Sequence, residues 1–330
     1  MMNKKAFEMQ FNWIFVLVAG AAILLFFTVV VVKQRSVSET STKTTVLKSI
    51  EAIITGASIS TDTINIINIP SSDIEISCNR VSLGSLSRQY QSLILFAPSL
   101  VKGNRLITQT LAFSTPYRAT NLLYITSPQL RYIIIGNTNL ANEINKSLPS
   151  DLKKEFYQSV PQIKNLNNYK VRFIVFGDMV DFPKALEKMP DYDATAVRIN
   201  GDNEKGIIEF YQKDGTSWLS KGSSFYIGKS SLIGVVYADT LDMYNCNMLN
   251  TFSRLNLVTK IYVEKTKKIM QSTASLPCKQ SYGNALNHLS IVYEASSDFN
   301  KENIDKISDA AKSLADENKN AQLYSCPLIY

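Results

Sequence analysis

A charge-free apolar segment is the most pronounced pattern along the chain. Residues Phe11 to Val32 include no charged side chain, and only Asn12 and Thr28 are clearly polar. As a helix, the segment would be about 33 Å long at ~1.5 Å per residue, which is enough to cross a hydrocarbon core of ~30 Å. Trp13 near one end and Lys33 beyond the other suit the two membrane interfaces. The pattern predicts a single transmembrane helix.

The same pattern favours an uncleaved anchor over a removable secretory signal. The apolar run is longer than the ~7–15 residues of a typical signal, and cleavage after the small residues Ala19–Ala22 would leave the apolar Ile23–Val32 exposed. Basic residues flank the segment on both sides, so the positive-inside rule does not decide the orientation. The short tail and the position of all four cysteines after the segment favour an extracytoplasmic domain. We therefore expect residues 1–35 to form a tail and a signal-anchor that spans about residues 11–32.

A helical stalk and then a mixed α/β domain are predicted after the anchor. Apolar residues recur at helical spacing within 36–56, which predicts the stalk. Alternating or continuous apolar runs predict strands within residues 57–240. The predicted strands are Thr63–Ile69, Asp73–Cys78, Ser92–Ala97, Leu106–Phe113, Asn121–Thr126, Arg131–Gly136, Lys170–Gly177, Thr195–Ile199, Gly206–Gln212 and Ser231–Ala238. Because Phe173–Phe176 is apolar without alternation, we expect both faces of its strand to be covered, as in a parallel, helix-flanked sheet.

Helices are predicted between some of these strands and throughout residues 241–330. Within the α/β domain they are an amphipathic stretch at Asn139–Gln158, broken by Pro149, and a short helix at Phe182–Met189. The C-terminal region shows three helical patterns, which we expect to pack on the α/β domain: Leu241–Ile269, Tyr282–Ala295 and Lys301–Ala315. Asp239 or Thr240 is a plausible N-cap of the first, Asp298 or Asn300 of the third, and Pro277 is expected to end the first.

Helix geometry restricts how the four cysteines can pair. A straight first C-terminal helix would separate Cys246 from Cys278 by roughly 35–40 Å, whereas a disulfide needs Cα atoms ~4.4–6.8 Å apart. An up-down-up arrangement of the three helices would return the chain end to Cys278. We therefore predict the pairs Cys278–Cys326 and Cys78–Cys246. The sequence alone permits three connectivities, and four free, buried thiols are a further alternative.

Charge and composition narrow the classes of partner. The net charge of +7 comes from 35 basic and 28 acidic residues, and the basic residues are spread along the chain. A nucleic-acid-binding protein would normally collect them on one face, so no nucleic acid is expected as a partner. The expected partners are the lipid bilayer and possible proteins at the cell surface.

The Gly-Lys-Ser sequence at residues 228–230 is the motif most similar to a phosphate-binding loop. That loop also requires a glycine at position 223, which here is Ser223, while the nearest glycine is Gly222. It must also lead into a helix, whereas Ser231–Ala238 is predicted as a strand. A β-turn is therefore the preferred interpretation.

Other candidate chemistry is sparse. The single histidine, His288, excludes a metal site built on several imidazoles. Asp178 and Asp181 follow a predicted strand and are weak candidates for binding a hard cation, but the same residues are common in turns and caps. Asn145 begins an N-glycosylation sequon that matters only for an extracytoplasmic domain. The sequence predicts no catalytic residue and no cofactor.

The N-terminus resembles a type IV prepilin, with Lys4 and Lys5, then Ala6, Phe7 and an apolar helix. In that family a peptidase cuts after the small residue, and a glutamate five residues into the mature chain guides filament packing. The resemblance implies cleavage after Ala6 in this chain. The chain departs from the pattern because the fifth residue after Ala6 is apolar, and the only nearby glutamate is the second.

We expect a single-pass, membrane-anchored, non-enzymatic protein that acts in binding or assembly. One alternative is a type IV pilin-like filament subunit. A second alternative is an α/β enzyme with a carboxylate site at Asp178.

Overall fold

The computed structural model describes residues 4–90, 94–164 and 168–330. The chain divides after Ser49 into two units, and the second unit contains Ile50–Tyr330. The fold is mixed α/β with several C-terminal helices, as the sequence predicts, and its strands form two sheets.

One helix, α1 (Lys4–Ile59), includes both the apolar segment and the predicted stalk. The Ser/Thr-rich stretch between them does not interrupt it, and hydroxyls in this stretch donate to carbonyls one turn earlier in the same helix. The Thr42 hydroxyl, for example, donates to the Ser38 carbonyl at 3.0 Å, and its neighbours repeat this contact. Among the described residues, Phe15–Gly56 is the one segment long and apolar enough to cross a membrane. The large apolar side chains in residues 15–32 that the structure describes are exposed, with Leu24 at 70%.

The first sheet contains six strands, mostly antiparallel, in the order β3-β2-β1-β5-β6-β4. The strands are β1 (Ile64–Ser77), β2 (Arg80–Leu83), β3 (Leu86–Gln89), β4 (Leu95–Phe96), β5 (Leu100–Ser114) and β6 (Arg118–Thr126). Two predicted strands, Thr63–Ile69 and Asp73–Cys78, form the single strand β1, whose register shifts at the bulge around Pro70. Ser92 and Leu93, which begin another predicted strand, lie outside the described residues.

The second sheet also has six strands, in the order β12-β11-β10-β9-β7-β8. The strands are β7 (Leu130–Ile135), β8 (Lys153–Tyr157), β9 (Lys170–Phe176), β10 (Ala194–Gly201), β11 (Lys205–Asp214) and β12 (Ser217–Ile227). Strands β8, β7, β9 and β10 are parallel, while β11 and β12 are antiparallel. The sheet is therefore mixed, and the predicted parallel sheet describes only one side of it.

Two predicted helices in this region are shorter than expected. Helix α2 (Asn139–Ser147) takes only the first part of Asn139–Gln158, and the rest of that stretch includes β8. The Thr138 hydroxyl caps α2, and the chain becomes extended at the residue before Pro149, as the residue before a proline prefers. At Phe182–Met189 a single 3-10 turn forms.

The prediction of a strand at Ser231–Ala238 is wrong, because this segment belongs to helix α3 (Gly228–Tyr237). Every residue from Ser230 to Tyr237 is buried. A helix that is buried on all sides carries apolar residues all round, so it lacks the polar stripe by which helices are recognised. Gly234 of α3 lies against the ring of Phe96, so closely that a Cβ atom there would be 2.8 Å from the ring.

Three helices complete the chain: α4 (Leu241–Ser272), α5 (Leu276–Ala295) and α6 (Lys301–Leu323). The N-caps are Thr240 for α4 and Asn300 for α6. The prediction that Pro277 ends α4 is wrong. Pro277 lies in the first turn of α5, where its missing N–H costs no helical hydrogen bond.

The central strand β9 is covered on both faces, as expected from its apolar run. On one face, Phe173 belongs to an apolar cluster with Val171, Val175 and the edge of Trp218. The other face carries Lys170 and Arg172 and is equally buried. Two buried cations on a core strand require partners. These partners lie at the C-terminal end of α3 and just after it.

Candidate functional site

The two carboxylates predicted as weak metal ligands lie on the surface. Asp178 is fully exposed and forms an ion pair with Arg198 at 3.6 Å, and Asp181 is also exposed. Within the described residues, no group of three or more His, Cys, Asp or Glu side chains is placed to hold a metal ion. The metal site at Asp178 and Asp181 therefore stays a prediction without structural support.

A buried polar cluster joins β9 to the segment after α3. The ammonium of Lys170 pairs with the carboxylate of Asp239, and the two side chains are 3% and 2% exposed. Asp239 also accepts hydrogen bonds from the backbone N–H and the hydroxyl of Ser99, each at 2.9 Å. Of the two residues predicted as candidate N-caps of α4, Asp239 therefore does not cap the helix, and Thr240 does. The cluster fastens two loops to the central sheet.

Arg172 extends this cluster to the C-terminal end of α3. Its guanidinium donates to the carbonyls of Val235 and Ala238, at 3.1 and 2.6 Å, and these are carbonyls that a helix end leaves unpaired. Burial lowers the pKa of Arg172 to about 10, while nearby Asp239 acts to raise it. The guanidinium is therefore still charged at neutral pH, and it complements the negative end of the α3 dipole.

A groove of about 650 Å³ opens at the opposite end of α3, and we call it the α3 groove. Its apolar part comes from β5, and its polar part comes from α2, the start of α3 and the segment before β1. The polar lining residues are Asp62, Glu143, Lys146, Ser147, Lys229 and Ser230. Lys229 and Ser230 of the Gly-Lys-Ser sequence, which was interpreted as a β-turn, thus line the groove.

The local chain geometry explains how that sequence begins a helix. Strand β12 ends at Ile227, and Gly228 follows with φ of +74°, a conformation that favours glycine. The N–H of Gly228 donates to the carbonyl of Glu204. The Ser231 hydroxyl bonds both the N–H and the carbonyl of Ile227. The chain therefore turns from strand to helix within one residue, and the next two side chains line the groove.

The charged side chains of the α3 groove form no ion pairs with other described residues. Lys146 and Lys229 are exposed, as are the carboxylates Asp62 and Glu143, and no ion pair joins any of them to another described residue. By contrast, the hydroxyl-bearing Ser230 is only 8% exposed. The sequence analysis considered Lys229 and Ser230 but set them aside, because position 223 lacks the glycine of a phosphate-binding loop and a strand was predicted at Ser231–Ala238.

The structure brings the four cysteines together in two pairs at disulfide distance. The Cα atoms are 6.0 Å apart for Cys78 and Cys246, and 5.8 Å apart for Cys278 and Cys326. These are the two pairs favoured by the helix-length argument. The first joins the end of β1 to α4, and the second fastens the C-terminal segment to α5.

Comparison with protein-family models, characterised proteins and solved structures found no match for this chain.

Proposed function

We propose that the protein is a single-pass membrane protein whose folded region lies outside the cytoplasm and acts, without catalysis, in binding or assembly. The exposed apolar helix is the observation that carries this proposal. Phe26 and Phe27 are 65% and 59% exposed, although burial of a side chain of this size is worth ~1.5–3 kcal/mol. A bilayer would cover these side chains at no cost to the fold.

The cysteine pairs support placing the folded region in an oxidising compartment. Disulfides persist in extracytoplasmic proteins and are rare in the reducing cytosol. Among the described residues no cysteine is left unpaired. The proposal therefore assigns a signal-anchor orientation to α1, with residues 57–330 outside.

Extraction of membranes at alkaline pH tests the anchor. We expect the full chain to stay in the membrane pellet, and a variant with Leu24→Lys and Phe27→Lys to lose this association, because each lysine at a helix centre costs ~2.5–3.5 kcal/mol. Ser38→Lys with Thr42→Lys adds the same charge further along α1 and serves as the control. A wild-type chain that stays soluble and monodisperse without detergent would contradict the proposal.

Protease digestion of intact cells tests the orientation. An extracytoplasmic region is cleaved without lysis, and its cysteines resist alkylation until a reductant is added. A region protected from protease, with thiols that react at once, would place the folded region inside and overturn that part of the proposal.

A pilin-like filament subunit is the second candidate, and the continuity of α1 favours it. The resemblance implies an apolar helix that continues beyond the membrane segment, and α1 extends without a break from Lys4 to Ile59. N-terminal sequencing of the mature protein separates the two candidates. Phe7 as the first residue supports pilin-like processing, whereas an uncut N-terminus supports the anchored module.

A further inference from the structure

We propose that the α3 groove binds an oxyanion, the phosphate or carboxylate group of a small molecule. The site belongs wholly to the unit from Ile50 onward. It therefore goes beyond the membrane proposal and does not depend on it.

The two ends of α3 differ in how their charge is balanced. Arg172 contacts the carbonyls at the C-terminal end. At the N-terminal end, the first turn contains no acidic residue, and Ile227 at the N-cap position forms no side-chain cap. A helix N-terminus attracts anions through its dipole and its N–H groups. The groove opens at this end.

The hydroxyl of Ser230 is a second and independent indication of a ligand. Ser230 lines the groove and is only 8% exposed. Its side chain has no hydrogen-bond partner among the described residues. Its carbonyl, by contrast, accepts a hydrogen bond from Tyr124 at 2.7 Å. Polar side chains with so little access to water normally have a partner, and an oxyanion in the groove would be an acceptor for this hydroxyl.

The charged residues of the groove describe the remainder of the ligand. Lys146 on α2 and Lys229 on α3 provide two cations from separate elements. Glu143 and Asp62 would repel a second anionic group, so the favoured ligand carries one oxyanion together with an amine or hydroxyl groups. The volume of about 650 Å³ lies within the ~300–1,000 Å³ range of small-molecule sites.

The α3 groove is not a nucleotide-binding P-loop. That loop surrounds its phosphates with successive backbone N–H groups and needs a glycine at position 223, where the chain has a serine. In the α3 groove, the helix N-terminus and three side chains would contact the anion. The ligand class is therefore a small molecule with one oxyanion group, and nucleoside triphosphates are not expected to bind tightly.

Calorimetric titration of the full chain in detergent micelles tests the proposal. Inorganic phosphate and acetate are the two probes, each titrated at constant ionic strength. We expect saturable binding of at least one probe at one site per chain. Tighter binding of phosphate would assign a phosphorylated ligand, and tighter binding of acetate would assign a carboxylate.

Three variants distinguish a built site from general attraction to a basic protein. Lys229→Gln should weaken binding about tenfold by removing a charge-assisted hydrogen bond, and Ser230→Ala should weaken it while leaving the net charge unchanged. Lys188→Gln removes an exposed charge elsewhere and should change nothing. Near-ultraviolet circular dichroism verifies that each variant is folded. No saturable binding of either probe, or an equal loss in all three variants, would overturn the proposal.

Discussion

Replacing Asp239 with alanine would leave the ammonium of Lys170 buried without its counter-ion. The two side chains are almost completely inaccessible to water, and the same carboxylate accepts two hydrogen bonds from Ser99. Water cannot readily replace the lost carboxylate at this position. The substitution therefore removes one partner of a buried pair and preserves the cost of desolvating the other.

The expected loss of stability is large compared with most single substitutions. Breaking a buried pair by removing one partner costs ~3–5 kcal/mol, because an uncompensated charge remains. The total stability of a domain is ~5–15 kcal/mol. Asp239→Ala is therefore expected to remove a substantial fraction of it. Removing both charges, with Lys170→Met and Asp239→Leu, should recover most of the loss, since a well-packed apolar pair often replaces a buried ion pair without cost.

Urea unfolding of the full chain in detergent micelles measures these differences. The near-ultraviolet circular dichroism of the buried tyrosines reports the unfolding. Asp178→Ala is the matched control, because Asp178 also pairs with a cation but is fully exposed. It should unfold at the same urea concentration as the wild type. If Asp239→Ala unfolds there too, the Lys170 ammonium is not buried as described, and the account of the cluster fails.

Two further predictions concern the disulfides and the pH dependence of stability. Replacing Cys278 and Cys326 with serine should cost about 4 kcal/mol in urea unfolding, from the chain entropy of a loop with sequence separation 48. A non-reduced digest should contain these two cysteines in one linked peptide pair, and any other pairing would contradict the structure. Glu155 accepts two hydrogen bonds from Arg131, which hold its pKa below the usual value. This contribution to stability is present above the unfolded pKa and disappears as pH falls through the folded pKa, so Glu155→Gln should destabilise at neutral pH and have no effect in strong acid.

The elements with regular patterns could be predicted from the sequence. The apolar N-terminal segment, the core of β9 and the three C-terminal helices each show either an unbroken apolar run or a clear helical period. Their boundaries depended on local chemistry that is ambiguous. Pro277 can end one helix or begin the next, and only the packing of α5 decides between these roles.

The elements that were missed or misassigned lack such a pattern. Strand β12 is an edge strand rich in serine, and most of its residues are exposed, so it shows neither apolar alternation nor a continuous apolar run. Helix α3 has the opposite property, since it is apolar on every side. In both cases the surroundings determine the element, and the surroundings come from distant parts of the chain.

The buried cluster shows why functional and structural polar residues were also difficult to assign. Lys170 and Asp239 are 69 residues apart in sequence, and neither stands in a motif. Asp239 had an adequate local explanation as a helix cap, but Thr240 fills that role. The burial of Lys170 and Arg172 on β9 beside Asp239 can be explained only after α3 is known to be a helix whose C-terminal end faces β9.

The same assignment decides what the chain can bind. If residues 231–238 formed a strand, Lys229 and Ser230 would lie in a turn before it and not at a helix N-terminus. Because α3 is a helix, its dipole, Lys229 and the largely buried Ser230 meet at one end, while Arg172 compensates the other. With few N–H groups around the ligand, attraction must come mainly from exposed lysines. Salt screens the field of exposed charges, with a Debye length of ~10 Å at 0.1 M. Anion binding in the α3 groove should therefore weaken with ionic strength, but a salt-resistant part should remain that depends on Ser230.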